Sequence, residues 1–134
     1  MSSPMVANRV EWVTVTCPAG TLASAPIEVQ TPIAQGYVLR VEVDIPDGHM
    51  GLTGIYLAVA GGRAVPMTDA SWLIGNDRTF TWDLVAQLDS GAWSAFVYNT
   101  DLFSHSWFIR WSVLDSNLVE PTSAQAPIAT PLVV

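Results

Sequence analysis

The chain has 134 residues, half of them hydrophobic and only 13% charged, which is enough to bury roughly two-thirds of its unfolded surface in one core and unlike the composition of a disordered segment. Its formal charge of −7 includes five arginines, Arg9, Arg40, Arg63, Arg78 and Arg110, and no lysine. Their scatter leaves no basic stripe to follow a phosphate backbone, so nucleic acid is excluded as a partner. No run of about 18 apolar residues marks a membrane-crossing helix, and residues 1–8 lack the basic start and apolar core of an export signal. The expectation is a protein made in the cytoplasm with no membrane partner.

In chain order, residues 1–9, with Ser2, Ser3 and Pro4, read as an N-terminal arm. Val10 to Cys17 is the first β-rich run, stopped by Pro18-Ala19-Gly20. Cys17 is the only cysteine, which rules out an intrachain disulfide and reads as a small buried apolar residue. Ala25 to Gln30 is the second run. In the third, Tyr37, Leu39, Val41, Val43 and Ile45 alternate with Val38, Arg40, Glu42 and Asp44, the pattern of a strand with one wet face. Pro46-Asp47-Gly48 turns the chain into Leu52 to Ala60, and Gly61-Gly62 suits a tight hairpin into Ala64 to Met67. After Gly75-Asn76-Asp77 come Thr79 to Leu84 and one helical turn over Asp83 to Leu88, which Asp89-Ser90-Gly91 stops. Ala92 to Asn99 and Ser106 to Leu114 are the last strands, separated by a turn at Asn99-Thr100-Asp101. Residues 117–134 contain Pro121, Pro127 and Pro131, which forbid a helix or a central strand and leave an extended arm.

About eight short strands over residues 10–116, with no room for crossover helices, predict an all-β fold. The expected architecture is an antiparallel two-sheet β-sandwich of the jelly-roll or immunoglobulin-like kind. Parity places Trp107, Ile109, Trp111 and Val113 on one face and Trp93, Ala95 and Val97 on another. Most of the six tryptophans are therefore expected between the sheets. Trp12, Trp72 and Trp82 are the candidates for an exposed aromatic platform that stacks on sugar rings. The arms carry Met5, Val6, Ile128, Leu132 and Val133, apolar residues suited to the sheet edge or groove of a neighbouring subunit.

Catalytic patterns fail on order or spacing. Leu88-Asp89-Ser90-Gly91-Ala92 resembles the active-site loop of retroviral-type aspartic proteases, but the apolar segment that should follow it, Trp72-Leu73-Ile74-Gly75, precedes it. Asp89-Ser90-Gly91 then reads as a turn. Asp44, Asp47 and His49, like Asp101 and His105, mix carboxylate and imidazole without the spacing of a metal cage. Asp101, Ser104, His105 and Ser106 have the atom types of a hydrolase triad, yet as sequence neighbours on a turn they lack its geometry. A phosphate loop would need a lysine. The expectation is a non-enzymatic protein with no catalytic residues, metal or cofactor.

The segments Ile45-Pro-Asp-Gly-His-Met-Gly-Leu-Thr-Gly54, Trp82-Asp-Leu84, Ser90-Gly-Ala-Trp93, Phe96-Val-Tyr-Asn-Thr-Asp101 and Ser104-His-Ser-Trp-Phe-Ile-Arg110 resemble small head-associated virion proteins of tailed bacteriophages over residues 10–115. The resemblance rests on turns and core positions, so it transfers no catalytic residue. It implies a capsid decoration or minor capsid protein located in the virion, which self-associates as a homo-oligomer and binds the major capsid protein. Alternatives in the same setting are a carbohydrate-binding fibre or spike domain, with a glycan partner, and a neck or tail adaptor.

Overall fold

The computed structural model describes residues 7, 9–31, 36–59, 62–66, 71–89 and 93–115. They form β1 (Arg9–Cys17), β2 (Ile27–Gln30), β3 (Gly36–Ile45), β4 (Thr53–Val59), β5 (Gly62–Val65), β6 (Arg78–Asp89), β7 (Trp93–Asn99) and β8 (His105–Asp115). One sheet, A, has the order β1-β8-β3-β6 and the other, B, has the order β2-β7-β4-β5. Every pairing is antiparallel.

The order follows one rule. Strand β4 pairs with β5, β3 with β6, β2 with β7 and β1 with β8, so the chain is a single ribbon folded back at the β4–β5 turn. Successive ribbon pairs fall alternately in the two sheets. This is a jelly roll, and it distinguishes the two expected architectures: in an immunoglobulin sandwich the first strand lies beside the second, whereas here it lies beside the last. The helical turn expected at Asp83 to Leu88 is absent. β6 continues to Asp89: after an irregularity between Asp83 and Leu88 the ladder resumes, with Leu88 and Asp89 paired to Val38 and Tyr37, and this resumed pairing holds extended a segment too short to be stable as an isolated helical turn.

Side-chain parity builds the core. On β8, Trp107, Ile109, Trp111 and Val113 are fully buried, and on β7 Trp93, Ala95 and Val97 face them from the opposite sheet. Trp93 and Trp111 meet edge to face across the gap, with centroids 6.0 Å apart. Each buried indole removes about 150–250 Å² from water, worth roughly 4–6 kcal/mol before entropy is counted. Strand β3 corrects the expected alternation. Val41, Val43 and Ile45 are buried as predicted, but the register slips between Val38 and Arg40, so Val38 is fully buried and Tyr37 and Leu39 are only half-buried. A bulge inserts one extra residue and reverses the parity behind it.

At one corner of sheet A, Arg9 of β1 pairs with Val113 of β8, and Asp115 of β8 pairs with Gly36 of β3. The arm residues Met5, Val6, Ile128, Leu132 and Val133 lie outside the described residues, as does most of the two expected arms, 1–9 and 117–134.

Candidate functional site

The connections β1–β2, β3–β4, β5–β6 and β7–β8 gather at one end of the sandwich, where polar side chains tie them together. Thr21 and Asn99 exchange two backbone hydrogen bonds of 2.8 Å, and the Thr100 amide donates to the Leu52 carbonyl at 2.9 Å. Asn76 clamps the 46–52 turn: its Oδ1 accepts from the Gly48 and Met50 amides at 2.8 and 2.9 Å, and its Nδ2 donates to Asp47 at 2.9 Å. Gly48, at φ 111°, supplies a backbone angle closed to residues with a Cβ. Buried Asn99 does the same for the 100–104 turn. Its Nδ2 donates to the carbonyls of Phe103 and Cys17, and its Oδ1 accepts from the Asp101 amide.

His49 plugs this end from below. It is fully buried, and because the Ser106 carbonyl at 2.9 Å can only accept, Nε2 carries the proton. Nδ1 is then the acceptor for the Thr53 hydroxyl at 2.6 Å, so the neutral imidazole is satisfied on both sides. Its ring lies 4.5 Å from that of His105 and 4.9 Å from that of Trp107. Burial, reinforced by the neighbouring His105, holds the His49 pKa below the ordinary imidazole range, although the Ser106 carbonyl and Asp101 pull the other way. Asp101 accepts from His105 Nε2 at 2.7 Å and from the Leu102 amide, and these bonds keep its carboxylate below the usual range.

These contacts take up the groups that resembled chemistry. Asp44 is held by Thr79 at 3.2 Å and Asp47 by Asn76, so neither joins His49. His105 and Ser106 alternate in β8 and project to opposite faces, and the Ser106 hydroxyl meets Thr16 at 2.8 Å, away from the imidazole. Cys17 stands opposite His105 in the β1–β8 ladder. Burial pushes its thiol pKa up, a hydrogen bond from Thr21 only partly offsets this, and the thiol is fully enclosed, the reverse of what a nucleophile requires. Among the described residues no three His, Cys, Asp or Glu side chains converge as metal ligands. What the arrangement can do is fix four loops rigidly.

The three tryptophan candidates occupy different surfaces. Trp12 stands on the outer face of sheet A, 63% exposed, with the Arg110 guanidinium 5.1 Å from its ring centre and Arg110 itself 2.9 Å from Glu42. Trp82 lies on β6 opposite buried Val41, stacked on Phe80 at the margin of the core. Trp72, beside β4, meets Tyr56 and Tyr98 edge to face on the outer side of sheet B, where Tyr56 also stacks on Phe96 at 4.7 Å. This four-ring group was not legible in the sequence because its members are distributed over β4, β7 and a loop. Tyr98 lies over Gly54, its partner across the β4–β7 ladder, where a Cβ would overlap the ring.

No family model matches the chain, and no curated protein matches it. Among solved structures, a chain described under the words "Bacillus endospore appendages form a novel family of disulfide-linked pili" is similar over 84% of this chain and 95% of its own, at 12% identity and a TM-score of 0.34. That likeness is too distant to bear on function.

Proposed function

We propose that the chain is a non-enzymatic bacteriophage virion structural protein, a capsid decoration or minor capsid protein that self-associates and binds the major capsid protein. The observation that supports this reading is the division of labour in the side chains. The histidines, Asp101, Asn99 and Cys17 are engaged in holding the loops, while the outer face beside edge strand β1 keeps Val10, Trp12 and Phe108 in water. An open sheet edge with apolar residues beside it invites another chain. The jelly roll is shared by capsid proteins and lectins, and as fold-level analogy it agrees with the proposal without deciding it.

The test is mass spectrometry of purified particles for copy number, followed by reconstitution of shells with the full chain and with a chain lacking residues 1–8 and 120–134. The proposal expects many copies per particle and weaker occupancy by the truncated chain. Absence from particles refutes the virion reading, and equal occupancy refutes the role of the arms. A second reading, a carbohydrate-binding host-recognition domain, draws on the Tyr56, Trp72, Phe96 and Tyr98 group. Those rings mostly face one another, which leaves few free faces for a sugar. Saturable glycan binding lost on Trp72→Ala would favour it.

A further inference from the structure

Nine large hydrophobic side chains are exposed among the described residues, and six of them, Leu22, Met50, Leu52, Ile74, Leu102 and Phe103, belong to the four connections gathered at the His49 end. Leu102 and Phe103 are adjacent and project furthest, at 86% and 71% exposure, with Met50 at 67%. Scattered exposed leucines are ordinary on any surface, whereas a concentration of this kind at one end marks an interaction surface.

The base beneath these side chains is rigid. Asn76, Asn99 and His49 fasten the loops to one another and to β8. Met50 is held outward at φ 52°, a left-handed conformation that an unbranched apolar residue rarely adopts. With His49 turned inward and Met50 outward on one clamped turn, the apolar groups are presented in fixed positions, which lowers the ordering cost of binding.

Charge selects the occupant. The described residues of the four connections include Asp47, Asp77 and Asp101 and no arginine or lysine; Arg78, which opens β6 beside Asp77, turns its guanidinium onto the Phe80 ring. Two copies meeting end to end would set carboxylates against carboxylates, and an anionic bilayer would repel them in the same way. Insertion by the roughly 5–10 Å of an interfacial anchor would draw Asp47 and Asp77, which share turns with Met50 and Ile74, towards the lipid. A protein surface with cations flanking an apolar face meets both requirements. We propose that the loop end docks on a partner protein whose complementary face is apolar and flanked by lysine or arginine. The inference does not depend on the virion reading, since it rests on the loop end alone.

The test uses the full chain and two synthetic amphipathic helical peptides with the same leucine face, one flanked by lysines and one by glutamates, read by fluorescence anisotropy. The lysine peptide is expected to bind saturably, and the Leu102→Ser/Phe103→Ser variant to bind it at least tenfold more weakly. These side chains face water, so the variant's urea midpoint should match that of the parent; Phe103→Ser alone provides a second, milder variant. Four results overturn the proposal: no saturable binding of the lysine peptide, equal binding of the glutamate peptide, undiminished binding by both variants, or loop-dependent binding to phosphatidylcholine vesicles or to a second copy in its place.

Discussion

Replacing His49 with alanine removes both hydrogen bonds of its imidazole, the 2.6 Å bond to Thr53 and the 2.9 Å bond to the Ser106 carbonyl. Thr53 is 1% exposed, so water cannot substitute for the lost partner. An orphaned buried group costs about 1–3 kcal/mol, and the vacated ring volume adds a cavity term of similar size. The expected loss is about 3–5 kcal/mol, a large fraction of the 5–15 kcal/mol typical of a domain. His49→Phe refills the volume without the polar contacts and should remain about 1–3 kcal/mol below the parent. Urea unfolding followed by circular dichroism measures both. The pH dependence separates the polar contribution. His49 binds protons less readily folded than unfolded, so its contribution is intact above the unfolded imidazole pKa of about 6.5 and is lost progressively as pH falls from there towards the depressed folded value. The difference between parent and His49→Phe should therefore shrink on acidification through that window. Asp101, whose pKa is also depressed, acts only at lower pH, below about 3.9. If His49→Ala costs less than about 1 kcal/mol, or if parent and His49→Phe keep a constant difference down to pH 5, the plug as described is wrong.

Gly54→Ala should cost about 1–3 kcal/mol by forcing the Tyr98 ring off the sheet and away from Trp72; the same change in a Tyr98→Ala background should cost clearly less, a coupling that a double-mutant cycle in urea reads directly. Asn76→Asp keeps an acceptor for the Gly48 and Met50 amides but sets a second carboxylate against Asp47, so limited proteolysis should cut the 46–52 turn faster at pH 7 and at close to the parental rate once carboxylates are protonated. Cys17 should resist a thiol reagent such as dithionitrobenzoate in the native state and react at once in denaturant, because it is enclosed and its thiol pKa is raised; rapid native labelling would contradict the packing of β1 on β8. Breaking the Arg40–Asp83 pair, whose side chains are 50% and 72% exposed, should leave the urea midpoint essentially where it is in the parent, because water screens an exposed pair.

The strands and their buried faces were legible because period-two alternation is written locally: Trp107, Ile109, Trp111 and Val113 declare a face regardless of partner. The bulge at Val38 to Arg40 was not, since neither glycine nor proline marks it and the apolar run Tyr37-Val38-Leu39 fits either parity. The end of β6 misled for a related reason. Leu84-Val85-Ala86-Gln87-Leu88 suits a helix as well as a strand, and only pairing with β3 decides. The meeting of His49 with Ser106 and His105, like that of Asn99 with Cys17, is set by which strands lie side by side, and no local pattern encodes it. The apolar loop end was invisible for the same reason: each exposed residue is unremarkable by itself, and only the fold brings these six side chains, from four connections, to one end.

The folded-back ribbon has a consequence for anything joined to this domain. Because Arg9 pairs with Val113, and Gly36 beside them with Asp115, polypeptide attached before the first strand and after the last departs from one shared corner of sheet A. Polypeptides joined directly at Arg9 and at Asp115 would therefore start side by side, and pulling on those two points would load the β1–β8 ladder like a zipper, opening it one hydrogen-bonded pair at a time.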